Sequence, residues 1–291
     1  MKISEIRVIR GFFWAYALTY LILMAGNLPA KTAIENGFDL LYNLKFAEAR
    51  SQFLDWQQNN PGDPMGDISI AASYLFEEFY SQNVLTSDFF LNDERLLGGI
   101  KGNPDPDRAA SFNRANQSAR NLAIKRLTVN TRDGDALLAL TLAAGMKADF
   151  ASILERRQME SLRWIKEADG YAKKLIALDP EAADAWLALG AANYIIGCLP
   201  AYKRFFLWFG GIHGDKRLGM EQLQMTAEKG RYLKPYAKIF LALAAMREKQ
   251  NDLAQKLLSD LVAQFPENPL FTAELAKLTR SIVPGVKSGG D

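Results

Sequence analysis

The residue types that ordinarily carry chemistry are scarce in this chain and poorly spaced for it. Among 291 residues His213 is the single histidine and Cys198 the single cysteine. Neither a histidine–carboxylate triad with a spare ligand nor a metal site of several histidines or thiolates can be assembled from them. His213 stands in the glycine-flanked stretch Gly211-Ile212-His213-Gly214, where a turn or capping role is expected. Cys198 excludes an internal disulfide framework and reads as a small buried apolar side chain. Asp63 and Asp67 lie four apart and Glu77 adjoins Glu78, without a glycine-centred loop of oxygen ligands. They are expected to be exposed charges and not a calcium site. Gly210-Gly211 lacks a following Lys-Ser/Thr pair and follows no strand, so it is not a phosphate loop. The sequence thus predicts no catalytic residue, no metal, no cofactor and no enzyme.

Function must then rest on burial and binding. Hydrophobic residues make up 49% and charged residues 23%, an ordinary globular balance that argues against broad disorder. Lys2, Arg7 and Arg10 precede an apolar run from Gly11 to Gly26, followed by Asn27-Leu28-Pro29-Ala30. That order predicts a signal peptide over residues 1–30 and an exported, periplasmic or secreted protein. The alternative is an uncleaved helix anchored in the inner membrane. The remaining chain is close to neutral, which gives no support for nucleic-acid binding. Its charge is uneven: ten acidic residues lie between Asp55 and Asp107, and ten basic ones between Lys203 and Lys249. The basic end would steer an acidic partner or touch anionic headgroups, unless these are simply solvated helix faces.

The elements that position these residues read as helices throughout. A small residue stands twelve before a helix-ending proline three times, at Ala49/Pro61, Ala168/Pro180 and Ala254/Pro266. Each alanine lies on an apolar stripe, where two helices of a hairpin would cross most closely. Residues 81–106, with their apolar tip Phe89-Phe90-Leu91, interrupt this order as one insert, and residues 198–214 as another. A helix is expected over 107–130, a helix or broken pair over 152–178, and a capping helix over 268–280.

Trp186-x-x-Leu189-Gly190, placed after Pro180, resembles the tetratricopeptide repeat, a helix–turn–helix unit. The resemblance implies an all-α, tetratricopeptide-type helical-hairpin superhelix (α-solenoid) over residues 34–280, with about five helix pairs and a frayed tail over 281–291. Residues 190–219 are more specific, with Leu199-Pro200, an aromatic helix and Gly211-Ile212-His213-Gly214-Asp215-Lys216-Arg217-Leu218-Gly219. They are similar to a eukaryotic tetratricopeptide family linked to inclusion-body clearance and the mitochondrial outer membrane, which implies scaffold architecture and no catalytic residue.

In tetratricopeptide arrays the first helix of each pair lines the concave surface. Carried onto this chain, the partner-binding groove would show Asp184, Leu187, Ala191 and Tyr194, then Tyr236, Ile239, Leu243, Met246 and Arg247. Much of that face is apolar, so either residues 81–106 cover it or it holds an apolar peptide or lipid-like ligand. Lys203, Arg204, Phe205, Phe206, Trp208 and Phe209 make an aromatic, basic-edged helix. It packs between repeats or contacts a partner or a membrane surface. Two functions follow: an exported scaffold binding a protein or peptide in the cell envelope, or a periplasmic carrier or transporter accessory enclosing a hydrophobic small molecule.

Overall fold

The computed structural model describes residues 31–209 and 211–282. The signal-peptide and tail readings therefore fall outside the described residues, apart from Ser281 and Ile282, as does the side chain of Phe209. Among the described residues there are fourteen α-helices and no strand. The all-α expectation holds.

Five hairpins account for most of the chain. They are α1 (Ala33–Tyr42) with α2 (Phe46–Asn59), and α3 (Pro64–Ser81) with α6 (Pro106–Val129). Then come α7 (Gly134–Asp149) with α8 (Gln158–Leu178), and α9 (Trp186–Cys198) with α11 (Lys216–Lys229). Helix α12 (Lys234–Arg247) pairs with α13 (Asn251–Gln264), and α14 (Pro269–Ile282) covers the end. Two short helices, α4 (Ser87–Phe90) and α5 (Asp93–Gly98), sit inside the second hairpin, and α10 (Ala201–Phe209) inside the fourth.

Local chemistry sets the boundaries. Asp63, Asp105, Asp133 and Asp215 each accept a bond from a backbone N–H in the first turn of the helix they precede. Pro64, Pro106 and Pro235 stand in first turns, where the missing N–H costs nothing. Ala49, Ala168 and Ala254 are all buried at hairpin crossings. The closest approach is between α9 and α11: a Cβ on Gly219 would lie 2.6 Å from the Tyr194 nitrogen and 2.9 Å from the Gly190 carbonyl.

Helix α7 is the apolar centre, with Ala136, Leu137, Ala139, Leu140, Ala143 and Ala144 buried. Gly134–Leu154 is long and apolar enough to cross a membrane, yet most of it is buried within the protein. After Asp149 the helix widens into a π-helical turn, Phe150–Leu154, and breaks at Arg156, whose φ is 59°.

Two expectations need correction. Asp67 and Glu78 are not exposed charges. Asp67 is buried and accepts bonds from Gln57 and Ser118, and Glu78 is 2% exposed and pairs with Arg108 at 2.6 Å. Each sits where hairpins one and two or α3 and α6 meet, so a neighbouring helix supplies the partner that makes burial tolerable. Nor do the hairpins stack only on sequence neighbours. Tyr42 donates its hydroxyl to the Tyr232 carbonyl (3.0 Å), and Asn268 donates to the Tyr42 carbonyl (2.7 Å). Phe38 packs on Tyr232 and Tyr42 on Phe265, with ring centroids 5.5 and 5.3 Å apart. The first hairpin thus closes against the last.

Gly219→Ala is expected to cost about 2 kcal/mol, because the new methyl group meets backbone that cannot swing aside. Gly145→Ala, where a Cβ meets nothing within 4 Å, is expected to gain about 1 kcal/mol from helix propensity. Chemical denaturation of both variants measures the contrast.

Candidate functional site

Closure turns the inner helix faces toward one another without enough side chain to fill the space between them. The result is a partly open cavity of about 500 Å³. Leu41 of α1, Phe76 and Phe79 of α3, Ile153 of the π turn, and Leu162 and Ile165 of α8 form one side. Ile195 and Ile196 of α9 and the α12 residues Tyr236, Ile239, Leu243 and Met246 form another, with Phe271 of α14 below. This volume lies within the ordinary range for small-molecule pockets, about 300–1,000 Å³.

The insert supplies the cover. Leu85, Phe90, Leu96 and Leu97 face the cavity while Phe89 is buried behind them. The Ile100 N–H donates to the Ile153 carbonyl (2.9 Å) and Gln158 donates to the Leu97 carbonyl (2.9 Å). Arg247 reaches across from α12, donating to Asp93 (2.6 Å) and to the Phe90 carbonyl (2.6 Å). Ser87 donates to Glu274, and Lys277 pairs with Asp88. Two of these ties, Arg247–Asp93 and Lys277–Asp88, are ion pairs with an exposed carboxylate and of small individual worth. The segment is held by these, by side-chain and backbone hydrogen bonds, and by the burial of Val84, Phe89 and Ile100.

The polar groups of the wall divide into two kinds. Tyr42, Asn268, Glu274 and Gln158 are engaged in bonds already described. Asp149 is different. Its carboxylate makes no hydrogen bond or ion pair among the described residues, and the surface it retains faces the cavity. Burial alone raises its pKa to about 7. The Tyr236 hydroxyl on the opposite wall is also without a hydrogen bond, and burial, then the Asp149 charge, push its pKa up.

The expected groove divides. Tyr236, Ile239, Leu243 and Met246 converge on the cavity, and Arg247 pins the cover over it. Asp184, Leu187 and Tyr194 are buried elsewhere and do not line an open face. Asp184 accepts the backbone N–H groups of Arg231, Tyr232 and Leu233, tying α9 to the loop before α12. Burial raises its pKa, and those three bonds oppose the shift. Tyr194 donates to the Ala244 carbonyl or Glu248 (both 3.2 Å), and Ala191, partly buried, is not in the cavity wall. The face of α9 that lines the cavity is Ile195, Ile196 and Leu199, rotated from the expected one. Helix α10 stands off the body: Tyr202, Phe205, Phe206 and Trp208 are 58–71% exposed, and Lys203, Phe206 and Leu207 border the cavity mouth. Arg204 and His213 are exposed, and Cys198 is partly buried, with its thiol pKa raised by that burial. Sequence reasoning passed over Asp149. Its signal was there, as a lone acid in the apolar run Ala148-Asp149-Phe150-Ala151.

No protein-family profile and no curated protein matches the chain. Among solved structures, the chain is similar to a thermophilic TPR protein of Thermus thermophilus. The likeness has 13% identity and a TM-score of 0.45, over 85% of this chain and 97% of that one.

Gly99 turns the end of the cover with φ +70°, and a Cβ there would run into the Ile153 carbonyl. Gly99→Ala is expected to raise amide exchange over residues 87–98 by about tenfold, the equivalent of ~1.4 kcal/mol, while the hairpin helices keep their protection. Hydrogen-exchange mass spectrometry reads this directly, and unchanged exchange would place the anchor elsewhere.

Proposed function

We propose that residues 33–282 carry an apolar small molecule in the cavity enclosed by the hairpins. The carrying observation is the cavity itself: about 500 Å³, walled almost entirely by aliphatic and aromatic side chains. An apolar wall of this kind gains from contact with a chain or ring and little from a peptide backbone, whose N–H and C=O groups would find few partners. The cover formed by residues 81–106 supports the same reading, since it screens the apolar wall and leaves the cavity only partly open. The basic head and apolar run over residues 1–26 support a carrier or transporter accessory working outside the cytoplasm.

A second reading, an envelope scaffold that binds a protein, is favoured by α10. Its Tyr202 and Phe206 are 63% and 71% exposed on a short helix beside Lys203 and Arg204. Such aromatic exposure is costly without a partner or membrane to cover it.

Leu243→Trp places an indole in the cavity. The variant is expected to keep its helical circular-dichroism spectrum and to bind an apolar fluorescent probe at least about tenfold more weakly, a loss of ~1.4 kcal/mol. Native mass spectrometry of the unaltered protein should show a co-purified small molecule that the variant lacks. If the unaltered chain neither retains a ligand nor takes up the probe, the carrier reading falls. Loss of partner capture by Tyr202→Ser with Trp208→Ser, at unchanged probe uptake, would establish the scaffold role.

A further inference from the structure

Asp149 is the one acid in the cavity wall whose charge nothing among the described residues answers. Glu274, the other acid of the wall, accepts from Ser87 and Lys277. Lys147, two residues before Asp149, is turned away toward Asn113 (3.0 Å) and the rings of Phe112, Phe150 and Trp164. Lys203 borders the cavity from α10 and makes no ion pair with Asp149. The remaining ionisable groups around the cavity are Tyr42 of α1, held by the Tyr232 carbonyl, and Tyr236 of α12. Asp149 also ends the regular part of α7, where the chain widens into the π turn Phe150–Leu154. Single π turns of this kind are frequent at functional sites, since they re-aim side chains at a cost in helix regularity.

Each candidate head group leaves a different balance in that place. A carboxylic acid would set two acids side by side, one of which must stay protonated. An alcohol would satisfy one acceptor and leave the charge uncompensated. A protonated amine donates up to three hydrogen bonds and cancels the charge. We propose that the ligand is an amphiphile with an aliphatic body and a protonated amine at one end, the Asp149 carboxylate serving as its counter-ion and the Tyr236 hydroxyl as a second acceptor. This rests on the carrier reading above.

The pairing makes binding depend on pH in a definite direction. The empty site holds a proton on Asp149 below about pH 7, as burial dictates. The amine requires the ionised form, so affinity for it is steady above that pH. Below it, affinity falls by about tenfold per unit, because one proton must leave for each amine bound. An alkylamine itself stays protonated across this range, as lysine does.

The test uses the full chain and three ligands of one chain length: dodecylamine, dodecanol and dodecanoate, each displacing an apolar fluorescent probe. At about pH 8 dodecylamine is expected to bind about tenfold tighter than dodecanol, or ~1.4 kcal/mol. Asp149→Asn should remove that preference and leave dodecanol within about twofold of its former affinity, a shift under ~0.5 kcal/mol. In the unaltered protein, which needs no variant to fold, the amine preference should shrink about tenfold on going from about pH 8 to about pH 6. The proposal is overturned if dodecanol or dodecanoate binds as tightly as the amine, or if the preference survives Asp149→Asn or is indifferent to pH. Such a result leaves the carrier reading standing. A bound probe that none of the three displaces also overturns the amine proposal alone; if the unaltered chain neither takes up the probe nor retains a ligand, both fall.

Discussion

The contact on which the structure depends is the one between its two ends. Tyr42, at the close of the first hairpin, gives its hydroxyl to the Tyr232 carbonyl and accepts from the Asn268 side chain on its own carbonyl. These bonds are buried or partly buried, and leaving either group unpaired would cost of the order of 1–3 kcal/mol. Around them Phe38, Phe265 and Phe271 pack as a cluster of rings. An array of hairpins whose ends did not meet would keep its concave face in water. Here the same apolar face is roofed and walled by protein.

That single constraint explains why polar groups are placed as they are. Where hairpins meet without a gap, these buried polar groups have partners: Glu78 has Arg108, Asp184 has three backbone N–H groups, and the Tyr194 hydroxyl has a carbonyl and Glu248. Where closure leaves a space, the wall is almost wholly apolar and Asp149 stands without a partner among the described residues. A half-buried carboxylate without a partner is poorly solvated, and its retention in such a place costs stability unless something other than the chain completes it. The cover over residues 81–106 belongs to the same logic. It shields apolar surface that hairpin stacking alone would expose, and it is held by ion pairs, hydrogen bonds and the burial of Val84, Phe89 and Ile100.

Much of the architecture was readable from residue order. Ala49, Ala168 and Ala254 marked hairpin crossings because a crossing tolerates little beyond a methyl group, and all three are buried there. Asp215 caps α11 through a backbone N–H only three residues on, since capping is a matter of neighbours in sequence. The candidate site was readable only in part. Tyr236, Ile239, Leu243 and Met246 do converge, since they stand three or four apart on one face of a helix whose start Pro235 fixes. Helix α9 was set on the wrong face because Trp186-Leu187-Ala188-Leu189 and Tyr194-Ile195-Ile196 are apolar all round, and a helix without a polar side gives no sign of which way it points.

By itself, the sequence determined what depends on near neighbours: helices, their caps and breaks, the hairpin pairing, and the want of histidines and cysteines for chemistry. Tertiary structure alone decided that Tyr42 meets residues 190 and 226 positions away, that an apolar face becomes a chamber, and that Asp149 looks into it. The physical reason is that closure depends on the relative placement of all the hairpins together. In stacked hairpins each pair contacts only its neighbours, so where the ends fall is the sum of every step, and no single pair carries a trace of it.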